Sequence, residues 1–172
     1  MPRRNIGVAI AVPEPYAAQL RDWRERLGDA QARRVPAHVT LLPPTAITTA
    51  RLPVVEEHLR AVAVAERPFE LVLRGSGTFR PLSPVIFVPL AAGICACERL
   101  EAKVRSGPLA RELKFNYHPH VTVAQDLDEV ALDKAFEELA SYEARFTTTG
   151  FTLFEEDAAG WRPIGDFRFG AD

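Results

Sequence analysis

Large apolar side chains at every second position, Ile6, Val8, Ile10 and Val12, with Gly7, Ala9 and Ala11 between them, predict an opening strand. Pro15 then stands where a first helical turn tolerates it, and Tyr16, Leu20, Trp23 and Leu27 mark one face of a helix that stops at Gly28. A short strand is expected over 37–42. Leu52, Val55, Leu59 and Val62 repeat at helical spacing, and 69–73 reads as another strand. Beyond a turn-rich stretch at 75–84 the order begins again, with a strand at 85–90 and a helix carrying Ile94, Leu100 and Val104. A strand at 120–124 follows. Asp126 with Glu129 reads as a capping box for a helix whose buried face is Leu132, Ala135, Phe136 and Leu139. Single strands are expected at 144–153 and 161–169.

The two halves therefore repeat one order of elements, and the middle strand of each carries the same tripeptide: His38, Val39, Thr40 and His120, Val121, Thr122. From the centre of the opening strand to the tripeptide is 29 residues in the first half (Ala9 to His38) and 33 in the second (Phe87 to His120). The pattern implies an α+β fold, bilobal and pseudo-twofold. Duplicated β-α-β-α-β units would form two mainly antiparallel sheets around a central cleft. At 172 residues the chain has room for one such domain, with lobe one at about 1–76 and lobe two at about 77–172.

Composition narrows the class of partner. A formal charge of −2 excludes a broad cationic face for extended duplex nucleic acid, while a small or single-ended substrate stays open. Of the 21 basic residues 18 are Arg, whose planar forks suit phosphate oxygens. Cys95 and Cys97 are too few and too close for a disulfide framework and read as thiols of a reducing compartment. Arg3 and Arg4 ahead of an apolar run imitate a secretion signal, but the run is short and alternates as a strand does. The apolar stretch at 84–97 is interrupted by Pro89 and Gly93, so it belongs to a core and not a membrane. A cytoplasmic protein is expected. Nothing in the pattern sets an oligomeric state.

On a strand, His38 and Thr40 project together while Val39 and Leu41 face the opposite way, and His120 with Thr122 does the same. Symmetry would bring these sets into opposition. Two imidazoles flanking one site serve as general base and general acid, because a pKa near 6.5 leaves both protonation states accessible at neutrality. A phosphodiester needs such a pair. One ring takes the proton from attacking water, the other gives one to the departing ribose oxygen, and two hydroxyls donate to the non-bridging oxygens.

With these residues the chain resembles the 2H phosphoesterase superfamily, in its branch of 2′-5′ RNA ligase-like proteins and RNA 2′,3′-cyclic phosphodiesterases. The resemblance spans nearly the whole chain and rests on H-V-T-L at 38–41 and H-V-T-V at 120–123, about 80 residues apart. It implies metal-independent hydrolysis of a nucleotide or RNA-end phosphate held as a cyclic or 2′-5′ diester, with a 2′-phosphate product. No cofactor is implied. His38 and His120 match the family's acid/base pair, and Thr40 and Thr122 its phosphate-binding hydroxyls. The chain departs from the pattern at Leu42, Pro43 and Pro44, where many relatives have an aromatic and a Gly. It departs again at Gln125, where many have Arg.

Other guanidinium and ammonium groups are candidates for the missing phosphate contact: Arg33, Arg34, Arg111, Lys114 and above all Arg80, in the loop between the lobes. Tyr117, beside the H-P-H segment, is the aromatic candidate for a nucleobase, ahead of Phe79 and Phe115. His118 and His120 have the spacing of some zinc pairs, but no Asp, Glu or Cys stands close in sequence to complete a shell. His58 reads as a surface residue. Two rivals remain: a module that grips an RNA end without turnover, and a reversible 2′-5′ ligase, which would need a basic track the charge does not provide.

Overall fold

A computed structural model describes residues 2–170. The elements run β1 (Arg3–Ala11), α1 (Tyr16–Leu27), β2 (His38–Thr48), α2 (Leu52–Val64), β3 (Phe69–Arg74), β4 (Gly77–Thr78) and β5 (Val85–Ala92). They continue as α3 (Ile94–Val104), β6 (His120–Gln125), α4 (Glu129–Glu138), β7 (Glu143–Thr148), β8 (Gly150–Asp157) and β9 (Gly160–Arg168). Every strand pairing is antiparallel. One sheet has the order β2-β1-β8-β9; in the other, β5 carries β6 on one edge and β4, then β3 with β7, on the opposite edge.

The two sheets mirror each other about their motif strands. β1 and β5 are equivalent central strands, each with an α-helix after it, and β2 and β6 are their neighbours. Val39, Leu41, Val121 and Val123 are almost wholly buried, each contributing about 1.5 to 3 kcal/mol, and they fix which face the intervening His and Thr turn outward. One apolar cluster runs through both sheets and takes side chains from all four helices.

Four sequence expectations are corrected. The strand expected at 37–42 continues to Thr48 through Pro43 and Pro44, which β2 tolerates because it lies at the edge of its sheet. The expected strand at 144–153 is two strands in different sheets. Gly150 marks the crossing, where a Cβ would lie 2.4 Å from the Phe167 carbonyl oxygen. The cap of α4 is Asp128, whose side chain accepts from the Ala131 amide at 2.8 Å; Asp126 instead takes a left-handed conformation at φ 57. Finally, the expected division near residue 76 does not separate the sheets. The free edge of β1 is taken by β8, so β3 from the first half joins β5 while β8 and β9 from the second half join β1.

Candidate active site

The repeat is exact enough to be read in the strand registers. In the first sheet Ala11 faces His38 and Ala9 faces Thr40; in the second, Pro89 faces His120 and Phe87 faces Thr122. Each histidine is the first residue of its strand, and β2 and β6 lie against one another. The Tyr117 hydroxyl, just ahead of β6, donates to the Thr40 carbonyl of β2 at 2.7 Å and ties the motif strands together. Burial raises the Tyr117 pKa, so this phenol stays a donor.

Both imidazoles are held the same way. Nδ1 of His38 lies 2.7 Å from the Pro36 carbonyl oxygen, and Nδ1 of His120 lies 2.6 Å from that of His118. A carbonyl only accepts, so Nδ1 carries the proton and, in the neutral ring, Nε2 keeps its lone pair. Both rings are partly buried. Desolvation lowers the His38 pKa from 6.5 to about 4, and the nearby charges of Arg24 and His120 push the same way. The His120 pKa is lowered as well, again chiefly by desolvation, with His118 adding to it.

Aromatic rings form the desolvating walls. The Trp161 ring centroid is 4.6 Å from that of His38 with the planes 30° apart. Gly7 lies beside the same indole: a Cβ there would stand 3.5 Å from the ring, an ordinary packing distance, and 3.3 Å from the Leu42 carbonyl oxygen. Phe79 meets His120 edge-on at 5.0 Å, and Phe87 lies 5.1 Å from the same ring. Neither Trp161 nor Phe79 carries a motif. The sequence signal for Trp161 is confined to its position opening the last strand, and its pairing with Gly7 arises only across the sheet.

Thr40 and Thr122 are half-buried, and among the described residues neither hydroxyl has a hydrogen-bond partner. Both remain available to a ligand. Arg80, expected as a phosphate contact, has its guanidinium 2.8 Å from Asp133 and 3.0 Å from Glu129, with a further contact to Thr78, because the first turns of α4 present those carboxylates to the loop. Arg33 pairs with Glu25, Arg34 donates to the Ala158 carbonyl, and Arg111 donates to the Thr45 hydroxyl. Tyr117 likewise spends its hydroxyl on Thr40. Phe115 is exposed, His118 is exposed with its ring beside Phe79 and Phe87, and His58 bonds the Val104 carbonyl. Among the described residues no three His, Cys, Asp or Glu side chains are grouped as metal ligands.

A duplicated α+β scaffold that joins two His-x-Thr strands defines a class, the two-histidine phosphoesterases. The family model for the 2′-5′ RNA ligase superfamily matches residues 12–160, and the chain belongs to that superfamily. A provisionally named phosphoesterase of Halalkalibacterium halodurans is 30% identical over 123 residues, covering 72% of this chain and 71% of that protein. A second, from Geobacillus kaustophilus, is 24% identical and covers 84% of this chain and 83% of its own length. Among solved structures, Escherichia coli LigT complexed with 3′-AMP superposes with a TM-score of 0.74 at 19% identity, over 98% of this chain and 99% of LigT. This likeness shows the shared fold. No helix among the described residues is long and apolar enough to cross a membrane.

Proposed function

We propose that the protein is a phosphodiesterase that opens 2′,3′-cyclic phosphates, or related cyclic and 2′-5′ diesters, of nucleotides or RNA ends. His38 and His120 are its acid/base pair. The observation that carries this reading is the pair of imidazoles, each with Nδ1–H given to a carbonyl two residues back and Nε2 left free. In hydrolysis a water oxygen attacks phosphorus while one Nε2 takes its proton. The bond from phosphorus to the ribose 3′ oxygen breaks, and the other ring, entering the step as the imidazolium that a bound phosphodiester anion favours, gives its Nε2 proton to that oxygen, leaving a 2′-phosphate. The hydroxyls of Thr40 and Thr122 donate to the non-bridging oxygens as charge builds on them. The step needs no metal. Structures of LigT complexed with 3′-AMP, NADP+, ATP and phosphate support a nucleotide or phosphate ligand here. The net charge of −2 favours an end-on ligand over a duplex, and two free thiols fit a cytoplasmic setting.

Turnover of 2′,3′-cyclic mononucleotides, read by separating 2′- and 3′-phosphate products, tests the proposal. His38→Ala and His120→Ala should each cost on the order of 10² to 10⁴ in rate with the circular dichroism unchanged, and EDTA should not slow the wild type. A single variant that kept near full rate would end the paired mechanism. Tight binding of a cyclic nucleotide with no turnover would replace the enzyme by a binding module.

A further inference from the structure

The face that carries His38 and Thr40 extends across the first sheet. Thr40 faces Ala9, Ala9 faces Thr152 and Thr152 faces Asp166, so these four side chains share one side. One step along, Ala11 faces His38 and Gly150 faces Arg168. With about 4.8 Å between strands, Asp166 lies about 14 Å from Thr40. A cavity of about 380 Å³ occupies this region, lined in part by Ala11, Gly150, Thr152, Asp166 and Arg168. That is the size of a small-ligand site, which runs from about 300 to 1,000 Å³. Ala11, the cross-strand neighbour of His38, is exposed, so cavity and candidate active site meet there.

Its polar groups are arranged for a ligand with donors and a negative charge. The Thr152 hydroxyl donates to Oδ1 of Asp166 at 2.9 Å and orients the carboxylate. Arg168 is exposed and, among the described residues, pairs with no carboxylate, unlike Arg74, Arg80, Arg145 and Arg162. Gly150 adds no side chain to the floor between them.

We propose that this cavity is a subsite for the second nucleotide of an RNA end. Asp166 accepts hydrogen bonds from its ribose hydroxyls or base amino group, and Arg168 meets the phosphate that joins it to the terminal nucleotide. The inference rests on the function proposed above and sharpens it: a short RNA end is preferred over an isolated cyclic mononucleotide, which is still turned over.

Calorimetric binding of adenosine 2′-monophosphate and of a diadenosine ending in a 2′-phosphate tests the subsite, beside turnover of the matching cyclic ends. The dinucleotide should bind at least tenfold tighter to the wild type, and Arg168→Gln should remove most of that advantage. Asp166→Asn should narrow it as well. Equal affinities in the wild type, no binding of either ligand, or an Arg168→Gln loss shared equally by both would overturn the subsite. Arg168-dependent dinucleotide binding without turnover would retain the subsite and reject the hydrolase. Turnover with no length preference would do the reverse.

Discussion

Protonating His38 in the folded protein means charging a ring packed under Trp161, which is why its pKa falls from 6.5 to about 4. The unfolded ring titrates near 6.5, so the folded state binds fewer protons in between and loses stability as pH falls through that window. At pH 5.0 the unfolded ring is almost fully protonated and the folded one almost wholly neutral. Relative to pH 7.5, this difference amounts to about 2 kcal/mol at most, and residual water contact at a half-buried ring reduces it to about 1 to 2 kcal/mol. His38→Gln removes the titration. Urea unfolding of both proteins at pH 7.5 and 5.0 should therefore show the wild type losing about 1 to 2 kcal/mol more than the variant, and the His38 ring should titrate by NMR well below 6. An equal loss in the two proteins, or an NMR midpoint at or above 6.5, would refute the desolvation argument.

Tyr117→Phe deletes the hydroxyl that meets the Thr40 carbonyl and leaves that acceptor without its partner, so urea unfolding should register a loss of about 1 to 3 kcal/mol. A change of a few tenths would mean the bond does not hold β2 to β6. Arg80→Gln breaks contacts with the exposed Glu129 and Asp133 and should cost less than about 1 kcal/mol. The KM for a cyclic mononucleotide should stay within about twofold; a tenfold rise would return the guanidinium to the substrate.

Much of the fold was legible because periodicity is a local signal. The alternation at 6–12, the helical spacing of Tyr16, Leu20, Trp23 and Leu27, and the repeated His-Val-Thr strands all reappear in the structure. What stayed hidden depends on partners distant in sequence. The run at 144–153 is uniformly strand-like, and only the close approach of Gly150 to Phe167 reveals that it changes sheets. Trp161 gives no sign of lying over His38 until β9 is placed opposite β8. Arg80 looked free because a sequence does not show that α4 points two carboxylates at its loop.

The same nonlocal contacts make the candidate site inseparable from the fold. α1, which follows the first central strand, packs against β6, and α3, which follows the second, packs against β2, so each half braces the other's motif strand. β3 and the β8–β9 hairpin are exchanged between the halves in the same sense, and the Tyr117 hydroxyl spans the join. Neither half has a complete sheet or a complete set of wall residues by itself: Trp161, from the end of the chain, encloses the histidine of the first half. Setting the two motif strands side by side is therefore not a docking of preformed lobes. It follows from forming one core that takes side chains from both halves.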